Sequence, residues 1–125
     1  MIKIFKCSKC GNILEYIEGL GGPLTCCNES MSLLVANTVD ASHEKHIPEV
    51  TIRGNELLVK VGSIPHPMEA AHYISFICVE TKQGSMHKVL KAGDLPEAKF
   101  ALTADDKAIA VYEYCNLHGL WKKEL

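Results

Sequence analysis

No stretch of this sequence is apolar for long enough to cross a bilayer, and the opening run Met1-Ile2-Lys3-Ile4-Phe5-Lys6-Cys7 is interrupted by lysines before it can resemble a secretion signal. Membrane attachment is therefore not expected, and the cytoplasm is the expected location. An excess of one charge is lacking too. Thirteen Lys and Arg stand against fifteen Asp and Glu, a net charge of -2 with a pI near 6.3, which excludes the broad basic surface that nucleic acid requires. Internal repeats, low-complexity tracts and long amphipathic helical periods are also missing. What is present is a 125-residue chain, 47% hydrophobic, enough for one compact domain with a real core and a small accessory module.

Six cysteines are many for this length. Without a secretion signal, the spacing Cys7-Ser8-Lys9-Cys10 favours thiolates held by a metal over disulfides. With Cys26 and Cys27 it forms a four-sulfur set inside residues 1–36, a module too short to fold on apolar burial alone. A tetrahedral ion would staple it, and by spacing alone zinc and iron serve equally. Neighbouring side chains of an extended strand point to opposite faces, so Cys26 and Cys27 can share one ion only if the backbone bends sharply there. Asn28, which tolerates a left-handed conformation, follows at that point.

Residues 37–125 read as a second domain of short strands cut by turns. Glu49–Arg53 and Glu56–Val61 flank Gly54-Asn55, a hairpin signal with glycine leading. Tyr73–Glu80, Ser85–Lys91, Lys99–Thr103, Lys107–Tyr114 and Leu120–Lys122 follow, with Gly- and Asp-rich turns between them. About seven strands at hairpin spacing predict an all-β antiparallel sandwich. Met68-Glu69-Ala70-Ala71, opened by Pro67, is expected to form one helical turn.

The chemistry-bearing residues of this domain lie in its loops. His46 stands in Glu44-Lys45-His46-Ile47-Pro48, His66 and His72 bracket Pro65-His66-Pro67-Met68-Glu69-Ala70-Ala71-His72, and Cys115 and His118 share Cys115-Asn116-Leu117-His118-Gly119. Four imidazoles and one thiolate make five donors, one more than a structural zinc site uses. His43 and His87 read as exposed histidines, and Cys78, inside an apolar run, as a buried thiol.

These three segments, in this order, resemble superoxide reductase, and the N-terminal cysteines resemble the desulforedoxin-type domain that precedes it in the two-iron members, the desulfoferrodoxins. The resemblance covers nearly the whole chain. It implies an immunoglobulin-like sandwich and two iron ions per chain. One would be a rubredoxin-like Fe(Cys)4 centre on Cys7, Cys10, Cys26 and Cys27. The other would be a square-pyramidal centre with His46, His66, His72 and His118 around the base, Cys115 at the apex and a sixth position open. The implied reaction is one-electron reduction of superoxide to hydrogen peroxide, with rubredoxin or a similar small protein returning the electron and a homodimer as the assembly. It further implies that Glu44 binds the oxidised iron after product leaves and that Lys45 supplies positive charge and organises proton-delivering water. Apart from the resemblance, the competing readings are a zinc- or iron-binding structural protein and an electron carrier without substrate chemistry.

Overall fold

The computed structural model describes residues 1–125 and divides into two compact units, Met1–Val35 and Ala36–Leu125. In the first, β1 (Lys3–Lys6) pairs antiparallel with β2 (Ile13–Tyr16) on one side and β5 (Ser32–Leu33) on the other, while β3 (Thr25–Cys26) and β4 (Glu29–Ser30) form a separate two-stranded ribbon. Its buried apolar side chains are few: Ile4, Met31 and Cys7. Two consecutive left-handed residues, Cys27 (φ 54°) and Asn28 (φ 60°), make the turn of that ribbon. The sharp bend that adjacent ligating cysteines require is thus present, with Asn28 in the role its side chain tolerates.

The second unit opens with α1, a single turn over His43–His46, and continues as seven strands. These are β6 (Pro48–Arg53), β7 (Glu56–Val61), β8 (Ile74–Thr81), β9 (Gly84–Val89), β10 (Glu97–Ala101), β11 (Ala108–Cys115) and β12 (Gly119–Glu124). They make two antiparallel sheets in the orders β10-β7-β6 and β12-β11-β8-β9, the sandwich that the strand spacing predicts. Alternation decides which side chains face inward: Leu57, Val59 and Val61 from one sheet meet Ile77, Val79 and Val111 from the other, all at most 1% exposed. The β6–β7 hairpin turns on Gly54-Asn55 with positive φ at Gly54 only, the form that needs glycine in the first position.

Two irregularities aim residues at one end of the sandwich. Opposite β11 the register slips, Tyr114 facing Phe76 but Cys115 facing Ile74, so Ser75 is an extra residue and the strand kinks as a bulge does. The β11–β12 connection is a three-residue turn, Asn116 to His118, closed by Gly119 at φ 80°, a conformation costly for any side chain. The expected helical turn at Met68–Ala71 is absent. Glu69 and His72 exchange main-chain hydrogen bonds of 2.9 and 3.0 Å across a tight turn, and the Met68 carbonyl accepts from Gly93 N–H at 2.9 Å. The turn bonds and the distant bond from Gly93 together outweigh the local helical preference.

Candidate metal centres

In the first unit the sulfurs of Cys7, Cys10, Cys26 and Cys27 all lie within 4.8 Å of one another. Cys10 Sγ is 3.5 Å and Cys27 Sγ 3.9 Å from Cys26 Sγ, and all six cysteines of the chain are free. The Cys7–Cys10 knuckle is held by Gly11 N–H donating to the Cys7 carbonyl at 3.0 Å and Cys7 N–H to that of Asn12 at 2.9 Å. Asn12 Nδ2 points at Cys26 Sγ from 3.7 Å. Cys7 is drawn down to about 6, chiefly by the Cys10 N–H, whereas the Cys10 side chain pushes Cys26 up to about 12. Four sulfurs this close cannot all ionise unless a cation neutralises them.

In the second unit His46, His66, His72, Cys115 and His118 present one donor atom each within 4.8 Å of the others. They come from three places: α1, the long loop after β7, and the β11–β12 turn. The four rings follow one another in a closed cycle, His46 to His66 to His72 to His118 and back, with centroids 4.6–5.0 Å apart and planes crossing at 78–83°. Cys115 Sγ lies 3.8 Å from His118 Nδ1 and receives the main-chain N–H groups of His118 and Leu117.

The tautomers follow from the partners. His46 Nδ1 sits 2.7 Å from the Ser42 carbonyl and His66 Nδ1 2.7 Å from the Pro67 carbonyl. A carbonyl only accepts, so each Nδ1 carries the proton and each Nε2 is left as a lone pair. Those two Nε2 atoms face each other at 3.2 Å, and His46 Nε2 lies 3.1 Å from His118 Nδ1. His72 Nε2 is buried without a hydrogen-bond partner. Lone pairs converging in a buried space repel unless a cation lies between them, so the donors fit a metal ion. Burial is the main reason that His46, His66 and His72 all protonate less readily than free histidine, His66 only at about 4. Neutral imidazoles are the form that binds metal. Burial also raises the Cys115 thiol, so its ionisation depends on the ion it would bind.

Glu44 and Lys45 are both exposed on α1, immediately before His46. The Glu44 carbonyl is pinned by Ile64 N–H at 3.0 Å and by the Ser63 hydroxyl at 3.2 Å. A Cβ on Gly62 would come within 2.6 Å of that same carbonyl oxygen, so only glycine permits this approach. The Glu44 carboxyl is held below the usual carboxylate range mainly by its own main-chain N–H, and the Lys45 charge is felt at both His46 and His72. His43 and His87 are exposed, His43 with its ring edge-on to Trp121 at 5.3 Å, and Cys78 is fully buried.

Sequence reasoning missed several supports. Trp121, fully buried, lies 4.8 Å from the His46 ring and donates Nε1–H to the His118 carbonyl at 3.1 Å. Being the chain's one tryptophan, it was a signal available for reading. Glu113 is buried two residues before Cys115 with neither carboxyl oxygen bonded, and burial holds it well above the usual carboxylate range. Strand alternation would have turned it inward with Val111 and Cys115.

Comparison with known proteins agrees with this geometry. The desulfoferrodoxin family model matches residues 38–124 and the model of the desulfoferrodoxin N-terminal domain matches residues 1–34. A desulfoferrodoxin of Nitratidesulfovibrio vulgaris is 46% identical over 98% of this chain and 95% of its own length, and one of Syntrophotalea carbinolica 45% identical over 98% and 96%. The crystal structure of the superoxide reductase from Treponema pallidum superposes with a TM-score of 0.84 at 40% identity, covering 99% of both chains. The superoxide reductase (1Fe-SOR) from Giardia intestinalis matches 66% of this chain and 99% of its own at 32% identity, with a TM-score of 0.54. With both of its units matched in order, the chain belongs to the desulfoferrodoxin family.

Proposed function

We infer that the protein is a superoxide reductase, and the observation that carries the inference is the closed cycle of four imidazoles with the Cys115 sulfur beside it. Superoxide takes up one electron and two protons and leaves as hydrogen peroxide. His46, His66, His72, His118 and Cys115 would hold an iron(II) ion, which would supply that electron. With four neutral imidazoles and one thiolate the ferrous site carries a formal charge near +1, which attracts a small anion. A structural zinc site has no use for a fifth donor, and a pure electron carrier has no use for a cationic site that draws in an anion.

The chain's own residues set the conditions. Carbonyls of Ser42 and Pro67 fix the tautomers of His46 and His66, and burial keeps those rings neutral. Lys45 draws the anion in and orders the water that delivers protons; its charge already reaches His46 and His72. Glu44, ionised below the ordinary carboxylate range, balances the extra charge of the oxidised site once peroxide has left. The functional division falls at residues 1–36 and 37–125, each donor set lying within one part. Each turnover consumes one electron, so a one-electron protein donor such as rubredoxin is the partner of choice. A homodimer is supported by Leu14, Phe5 and Leu33, which lie side by side across β2, β1 and β5 with Leu14 and Leu33 45% and 49% exposed. Six free thiols support a reducing, cytoplasmic setting.

The test is stopped-flow mixing of reduced protein with superoxide, with peroxide and O₂ both measured. One peroxide per superoxide and no O₂ are expected. Cys115→Ser is expected to abolish the reaction and the thiolate absorption of the second centre while sparing the first. Near-parent turnover in that variant, or O₂ release at half the superoxide consumed, overturns the assignment.

A further inference from the structure

The four imidazoles are not held in place the same way. His46 and His66 are oriented through their rings, by the Ser42 and Pro67 carbonyls. His118 ends the three-residue turn that follows Cys115, and Trp121 holds its carbonyl. His72 has its Nε2 buried and unpartnered, and the structure grips its main chain instead. One side chain bonds both peptide groups that flank it: Asn116 Nδ2 donates to the Ala71 carbonyl at 3.1 Å, and Asn116 Oδ1 accepts from Tyr73 N–H at 2.9 Å. The Asn116 main-chain N–H adds a third bond, to the Tyr73 carbonyl at 3.1 Å. From the other side Glu69 holds His72 through the two bonds of the tight turn.

Asn116 lies between Cys115 and His118. Its carboxamide therefore sets the distance between the turn carrying two donors and the segment carrying a third, far away in sequence. The task needs a donor and an acceptor on one short side chain. Aspartate lacks the donor, serine offers one atom where two are needed, and glutamine is a methylene too long. We propose that Asn116 is the positioning residue for His72, closing the ring of donors by locking the 71–73 segment onto the Cys115–His118 turn. The proposal rests on the reading of these five residues as a metal site.

Metal affinity tests it without recourse to turnover. Cobalt(II) is titrated into the metal-free full-length protein against a competing chelator, the five-donor site being read by its own visible spectrum, distinct from that of the four-sulfur site. Asn116→Ala is expected to weaken cobalt at the five-donor site by about 10- to 100-fold, the usual cost of removing a group that orients a ligand. Because the effect runs through His72, adding Asn116→Ala to His72→Ala is expected to cost almost nothing further. A merely structural role would lower the melting temperature of every form and leave the two affinity losses multiplicative. Multiplicative losses, or parent-like affinity in Asn116→Ala beside a weakened His72→Ala, overturn the proposal. Parent-like affinity in His72→Ala overturns the metal site itself, and the proposal with it. Should Asn116→Ala fail to fold, Asn116→Asp, which keeps the acceptor for Tyr73 N–H and loses the donor to Ala71, goes through the same cycle with the same expectations.

Discussion

In the first unit two of the four sulfurs, Cys10 and Cys27, lie exposed on a fold whose buried apolar side chains number three, one of them Cys7 itself, whereas in the second Cys115 belongs to a twelve-residue core and His46 and His66 are buried as well. The first set of donors makes its fold; the second is made by its fold. Thirty-five residues cannot bury enough surface to offset the chain entropy of ordering them, so the metal supplies the missing free energy. The sandwich has an apolar core of its own in Leu57, Val59, Ile77, Val79 and Val111, and its donors are presented in place by carbonyls, a tryptophan and an asparagine.

The largest expected effect separates the two regions outright. Binding of a structural ion to a four-ligand knuckle contributes on the order of 10 kcal/mol to folding. Chelation under reducing conditions is therefore expected to abolish amide protection in β1 and β2 while β7, β8 and β11 stay protected, as read by hydrogen exchange. Cys27→Ser should repeat that loss without chelator and leave the reaction with superoxide nearly intact. Protection of β1 surviving in the metal-free protein breaks the comparison, and loss of the superoxide reaction in Cys27→Ser ties the first metal to the chemical step.

Acid sharpens the contrast next, because residues 1–35 hold no histidine. His66 titrates at about 4 in the folded metal-free protein against 6.5 for the free side chain. Between those values the unfolded chain binds a proton that the folded chain refuses, so this contribution is whole above about pH 6.5 and is lost as pH falls towards about 4. His46 and His72 are lowered in the same direction. The sandwich of the metal-free protein is expected to lose about 2 kcal/mol between pH 7 and pH 4.5 from His66 alone. Urea midpoints at the two values measure it, and His66→Gln should flatten the dependence. An unchanged slope in that variant means that the ring is less shielded than its burial implies.

The same contrast explains what the sequence revealed. Cys7, Cys10, Cys26 and Cys27 are legible because a knuckle is local: its chemistry is spelled in adjacent residues and in the missing core. Hairpins were legible for a similar reason, Gly54-Asn55 fixing its own turn. The way the histidine motifs meet was given by the family resemblance and not by their spacing, since the ring cycle joins His46 to His118 across 72 positions. Asn116 was invisible as a clamp because its partners, Ala71 and Tyr73, are brought to it only when β8 pairs with β11 through the bulge. The failed helical turn at Met68–Ala71 teaches the same lesson, local preference yielding to distant bonds from Asn116 and Gly93.

The smallest expected effect concerns the rim of the second site, where Lys45 stands exposed in front of His46. A unit charge about 6 Å from a monoanion attracts it by roughly 0.7 kcal/mol at the permittivity of water and roughly 2.8 kcal/mol at an effective value of about 20. At a factor of ten per ~1.4 kcal/mol, Lys45→Ala is expected to slow the bimolecular reaction with superoxide by between about 3-fold and about 100-fold. Glu44→Ala removes a charge of the opposite sign and is expected to leave the rate similar or slightly raised, while altering the spectrum of the oxidised centre. Salt distinguishes steering from contact. Screening weakens attraction beyond a Debye length, so added salt should slow the parent protein, and Lys45→Ala should respond less because one source of the local field is gone. Decay of superoxide against reduced protein, followed at several ionic strengths, reads both quantities. A variant matching the parent in rate and in salt slope makes Lys45 a solvated helix residue and assigns the attraction to the site's own positive charge, in which case the buried scaffold of the second unit performs the steering as well as the ligation.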